Sequence, residues 1–111
     1  MPLPSCVQKA IQAILNTPGA TDISLRRAVL ERTRLGSVQV PDNLLNLVDK
    51  IAERAWTIND EDFDRLRQAG YSEDQIYEVT MAAALGAGLQ RFDAGLRALE
   101  SNEPQNKQEM I

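Results

Sequence analysis

Apolar residues recur three and four positions apart along most of this chain, the spacing of one face of an α-helix. The first such stretch follows Pro4 and Ser5, with Ser5 as the expected cap. Its stripe runs through Cys6, Val7, Ala10, Ile11, Ala13 and Ile14, and Pro18-Gly19 stops it. A second helix is predicted over 22–35, with Ile23, Ala28, Val29 and Leu30 apolar and Gly36 ending it. Residues 37–40 could pass for a short strand, but no partner strand exists elsewhere, so a loop is expected. Pro41 suits the first turn of a third helix. There Leu44, Leu47, Val48, Ile51, Ala52 and Ala55 form one face that ends near Trp56. Thr57 is the expected cap of a short fourth helix, which reaches Gly70 with Phe63 and Leu66 as its anchors.

Ser72 and Gln75 have the spacing of a capping box, and nothing breaks the helix that follows over 73–100. At ~1.5 Å per residue it is about 40 Å long. Tyr77, Met81, Ala84, Leu85, Gly88, Phe92, Leu96 and Leu99 trace one stripe on it, while Val79, Ala82, Ala83, Gly86, Ala87 and Leu89 make its middle apolar all round. A helix of that kind is covered on several sides. Glycine inside a helix costs about 0.5–1 kcal/mol relative to alanine. Gly86 and Gly88, with Ala84, are therefore expected to face another helix closely, either within the chain or from a neighbouring subunit. These elements predict an all-α, compact domain of about five helices over residues 1–101, with a disordered polar tail over 102–111.

Composition narrows the chemistry. One Trp, two Tyr and two Phe among 111 residues leave the core to be built from Leu, Ile, Val, Ala and Met. The net charge of −4 argues against nucleic acid and anionic membrane as partners. Charge is uneven: Arg26, Arg27, Arg32 and Arg34 crowd the second helix, and Asp60, Glu61, Asp62, Asp64, Glu73, Asp74 and Glu78 crowd 57–80. Solvated helix faces are the expected meaning; contact between the two segments is the alternative. Cys6 is the one cysteine, so no disulfide forms within a chain, and no charged-then-apolar leader opens the sequence. The most apolar run, 79–89, falls far short of the roughly 20 residues that span a bilayer. A cytoplasmic protein is expected.

The segment AWTINDEDFDRLRQAG at 55–70, then YSEDQI at 71–76 and the Ala/Gly-rich helix through Arg91 to Leu99, resembles the carboxymuconolactone decarboxylase and alkylhydroperoxidase-D-like superfamily. The resemblance covers about residues 41–99 and rests on several linked features: a short helix, an Ala-Gly turn, a Ser-acid start and a long small-residue helix with an Arg near its end. It implies packed helices and assembly as trimers or hexamers. It also implies, for the peroxidase branch, a Cys-x-x-Cys pair with nearby Glu and His, and for the decarboxylase branch a proton-transferring His. This chain has one Cys and no His. A thiol that reduces peroxide needs a second thiol to resolve its sulfenic acid, so the resemblance carries a fold and not either reaction.

The absence of His also removes imidazole bases and metal ligands. Asp60, Glu61, Asp62 and Asp64 read as first-turn acids rather than a metal site, and no cofactor is expected. Cys6 reads as a small apolar residue on the inner face of the first helix; the alternative is a reactive thiol at the start of that helix, where its pKa would be lowered. Glu78 and Arg91 sit at opposite ends of the apolar run. The leading functional reading is a non-catalytic, homo-oligomeric helical module of the superfamily. The alternative is an enzyme or small-molecule binder with a site around Tyr77, Glu78 and Arg91. A DNA-binding regulator using the arginine-rich helix is opposed by the acidic net charge.

Overall fold

The computed structural model describes residues 3–101. Along them run α1 (Ser5–Asn16), α2 (Ile23–Leu35), α3 (Asp42–Glu53), a 3-10 turn (Ala55–Thr57), α4 (Asp60–Gln68) and α5 (Glu73–Ser101). The architecture is all-α, as the periodicity predicts, and no strand occurs among the described residues. Residues 37–40 are indeed loop. The tail expected to be disordered, 102–111, lies outside the described residues.

The ends of the helices follow local chemistry. Gly36 closes α2 at φ 94°, a left-handed conformation that glycine adopts without strain. The capping box before α5 is formed: Gln75 N donates to Ser72 Oγ at 3.1 Å and Ser72 N to Gln75 Oε1 at 2.8 Å. Three expected boundaries are corrected. Ser5 does not cap α1 but begins it, and the Pro4 carbonyl accepts from the amides of Val7 and Gln8. The third helix stops at Glu53, and the 3-10 turn after it leaves Trp56 82% exposed. Thr57 does not cap α4, because its hydroxyl donates to the Arg54 carbonyl. Asn59 does, in a box with Asp62: Asp62 N donates to Asn59 Oδ1 and Asn59 N to Asp62 Oδ2.

The core gathers Val29 and Leu30 of α2, Leu44, Leu47 and Val48 of α3, Leu66 of α4, and Ile76, Val79, Ala82, Ala83 and Leu89 of α5, with Val40 from the loop. From α1 the packed residues are Val7, Ile11, Ile14 and Leu15, whereas Cys6, Ala10 and Ala13 are exposed. Cys6 is thus not on the inner face; the bulkier aliphatic residues, which bury more apolar area each, point inward instead.

The main packing partner of α5 is α2, with α3 next. Small residues set this contact. A Cβ on Gly86 would stand 2.2 Å from the Leu30 carbonyl oxygen and 2.0 Å from Thr33 Oγ1, so only glycine lets the two backbones meet. The face of α5 that is covered is therefore its small-residue side. The stripe read from the sequence turns the other way: Tyr77, Met81, Ala84, Gly88 and Leu99 are exposed, with Leu85, Phe92 and Leu96 half-buried beside them. Gly86 packs within the chain, and Gly88 meets nothing within 4 Å.

Candidate functional site

The connection from α1 to α2 carries the sequence Thr-Pro-Gly-Ala-Thr-Asp at 17–22. It crosses the N-terminal part of α5, where Glu78 stands. The carboxylate of Glu78 receives the amides of two successive loop residues: Ala20 N at 2.7 Å on Oε2 and Thr21 N at 2.9 Å on Oε1. The Thr21 hydroxyl adds a third hydrogen bond, 2.5 Å to Oε1. A Cβ on Gly19 would lie 2.6 Å from the same carboxylate, so glycine is what lets the loop close over it. Gln75, one turn earlier, donates to the Ala20 carbonyl at 3.3 Å.

Beneath this loop lies Arg26, 4% exposed. Its Nη1 donates to the Ile14 carbonyl near the end of α1 (2.6 Å) and its Nη2 to the Thr21 carbonyl (3.3 Å). Nε stands 3.8 Å from Glu78 Oε1, an ion-pair distance too long for a hydrogen bond. That Nε–H is buried and has no acceptor. Around the pair is a cavity of about 200 Å³ with walls from Ala13, Ile14, Pro18, Met81 and the Tyr77 side chain. The hydroxyl of Thr21, with the amides of Ala20 and Thr21 and the Arg26 charge, holds the Glu78 carboxyl below its ordinary range, overcoming the opposing effect of burial. A carboxylate so stabilised is a poor proton acceptor near neutral pH. It can position and hydrogen-bond a group; it is badly suited to acid–base work.

Of the three residues singled out in the sequence, Tyr77 and Glu78 line this one cavity. Arg91 does not join them. It lies thirteen residues further along α5, about 20 Å away at helical rise, where it donates to the carbonyls of Ala87 and Ala52 and so ties α5 to the end of α3. Arg26 is the partner that sequence reasoning missed, having assigned it to a solvated basic face. A signal was available: Arg26, Val29, Leu30 and Thr33 have the spacing of one helix face, and all four are buried. Two more arginines of that basic segment are likewise engaged inside the chain, while Arg27 is exposed. Arg32 forms two hydrogen bonds to Asp49, and Arg34 two to Asp93. The two pairs flank a cavity of about 320 Å³, but their guanidinium groups are already matched by carboxylates.

A buried carboxylate was also hidden in the acidic run. Asp62, 2% exposed, accepts from Lys50 Nζ at 3.0 Å, Asn46 Nδ2 at 2.8 Å and Arg65. Burial alone would raise its pKa; the hydrogen bonds from Lys50, Asn59 and Asn46 outweigh that and lower it. The contacts from Lys50 and Asn46 join α3 to α4, and those from Arg65 and Asn59 hold α4 itself, which gives the cluster a structural role. Among the described residues no group of three or more His, Cys, Asp or Glu could hold a metal ion, and no helix is long and apolar enough to cross a membrane. Compared with family models, curated proteins and solved structures, the chain matches none.

Proposed function

We propose that the chain is a non-catalytic helical module, built on the alkylhydroperoxidase-D-like pattern, that assembles with copies of itself through α5. One observation carries this reading. Tyr77, Met81, Ala84, Gly88, Arg91 and Gly95 follow one another at alternating steps of four and three residues, and all six are exposed. That is the seam spacing of a coiled coil. A Cβ on Gly88 or Gly95 would meet nothing within 4 Å. Each glycine costs the helix about 0.5–1 kcal/mol relative to alanine, and neither has a packing reason within the chain.

The seam also favours a second copy over an unrelated occupant. Its bulk is lopsided, with Tyr77 and Met81 in the first half and Gly88 and Gly95 in the second. An antiparallel copy lays Tyr77 over Gly95 and sets Ala84 beside Gly88, filling each notch. A parallel copy would set glycine against glycine over a void, which close packing disfavours. With one Cys and no His in the chain, the disulfide and imidazole reactions of active members of the superfamily have no residues to run on.

Light scattering on the full chain at micromolar concentration tests the reading. The expected mass is a multiple of 12.3 kDa, falling to that of one chain in Gly88→Leu, whose new side chain has open space in the monomer. A wild-type mass equal to one chain refutes the assembly.

A further inference from the structure

Between α1 and the first half of α5 runs an open groove of about 200 Å³. Ala13, Thr17, Pro18 and Gly19 stand on one side of it and Tyr77 and Met81 on the other, all six exposed. No residue of α1 is fully buried, although Ile11, Ile14 and Leu15 pack on the core. The groove therefore lies where the cover supplied by α1 stops. The far half of α5 has the opposite shape. Beyond Leu89 none of its described residues belongs to the core, yet it runs on through Phe92 and Leu96, half-buried, and Leu99, exposed. One chain thus carries an unfilled apolar groove and, further along the same helix, an apolar ridge that its own core does not use.

Helical register relates the two. Glu78, Leu85, Phe92 and Leu99 recur every seven residues and so lie along one flank of the α5 seam. The groove opens on that flank, since Glu78 lines it. A two-fold axis that reverses a pair of helices keeps each flank on its own side, so this flank of one copy meets the same flank of the other. With Tyr77 laid over Gly95, the partner's Phe92, three residues before Gly95, comes level with Thr80, three residues after Tyr77. There it faces the groove between Glu78 and Met81. A cavity of about 150 Å³ holds benzene, so this one has room for a phenyl ring. Charge agrees with the register. In the groove the Arg26 side chain is 5% exposed and that of Glu78 22%, so the sign shown outward is negative. The same register brings the partner's Arg91 level with Met81, one turn from Glu78, whereas a parallel copy would set Arg91 on Arg91. We infer that two copies lock together through Phe92, the ring of each filling the α1–α5 groove of the other. This rests on the assembly through α5 proposed above and names what each copy puts into its partner.

The test places the photoreactive amino acid p-benzoylphenylalanine at position 92 of the full chain, which keeps an aromatic ring there and bonds under light to whatever it touches. Heavy-isotope-labelled and unlabelled copies are mixed, irradiated, digested and read by mass spectrometry. Links between heavy and light chains are expected, joining position 92 to Ala13, Pro18 or Met81. Met81 lies eleven residues from Phe92 on one helix, about 16 Å away, so that link does not arise within a chain. A second variant, Ala13→Arg, changes an exposed position, filling the groove and opposing Arg91. It is expected to keep the circular dichroism of the wild type while light scattering shows association weakened about tenfold, a loss of about 1.4 kcal/mol. An assembled wild type whose links from position 92 fall elsewhere, or an Ala13→Arg chain that associates as the wild type does, overturns the Phe92 lock and leaves assembly through α5 standing. A wild-type mass equal to one chain overturns both.

Discussion

Glu78 spans a long stretch of chain, holding amides 57 and 58 residues away. Its contribution to stability is tied to its charge, which gives it a pH signature. Its folded pKa lies below the ordinary value of 4.5, so the unfolded chain binds a proton here before the folded chain does. The stabilisation is therefore complete above about 4.5 and is lost as pH falls through the depressed folded value. Asp62 and Asp93 are lowered as well, Asp93 chiefly through its hydrogen bond from Arg34, and they add to the same acid slope. Thermal unfolding between pH 6 and pH 3, in round figures, should show wild type losing stability more steeply than Glu78→Gln, which keeps the shape of the side chain but cannot titrate. Parallel curves would mean that the Glu78 carboxyl has the same proton affinity folded and unfolded.

Small residues decide how α5 is used, and they do so differently on its two sides. Gly86 sits at the crossing with α2, where a methyl group would run into the Leu30 backbone, which cannot move aside as a side chain might, as well as into the Thr33 hydroxyl. Gly88, two residues on, looks into open space. The same substitution should therefore have opposite consequences for the isolated chain. Gly86→Ala is expected to destabilise it by about 1–3 kcal/mol, as overpacking does when the backbone must shift. Gly88→Ala should leave the monomer as stable or raise it by about 0.5–1 kcal/mol through helix propensity. Urea midpoints of both variants, measured dilute enough to avoid association, read the contrast directly. If Gly86→Ala matches wild type, the close crossing of α2 and α5 is wrong.

Over the whole molecule, a small core with few aromatics has to support a helix of 29 residues. The parts of α5 that α2 and α3 do not reach leave Tyr77 65% and Leu99 65% exposed. If a second copy covers this face, folding and association share free energy, and stability depends on concentration. The thermal midpoint of the wild type should then rise as protein is raised from low to high micromolar, while that of Gly88→Leu stays constant. A wild-type midpoint independent of concentration counts against the coupling. The cavity at Arg26 and Glu78 lies at the edge of the same face, so an assembled partner would stand over its rim.

Much of this was legible in the chain, and the rest was not, for reasons that particular residues make plain. Helices and their order follow from apolar spacing, and their ends from local devices such as Pro18-Gly19, Gly36 and the Ser72–Gln75 box, because these act within a few residues. The lack of His and of a second Cys is likewise complete in the sequence, and it removes whole classes of chemistry before any fold is known. Periodicity did not reveal which side of α5 faces inward. It weighs apolar bulk, whereas the buried side includes the small Ala82, Ala83 and Gly86, and it is Gly86 that allows the backbone of α2 to approach. Nor could it place Arg26 and Asp62 inside. A buried charge depends on partners far off in the chain: Glu78 for Arg26, Lys50 and Asn46 for Asp62. Tertiary structure alone brings those partners together, and with them the cavity that Tyr77 and Glu78 share without Arg91.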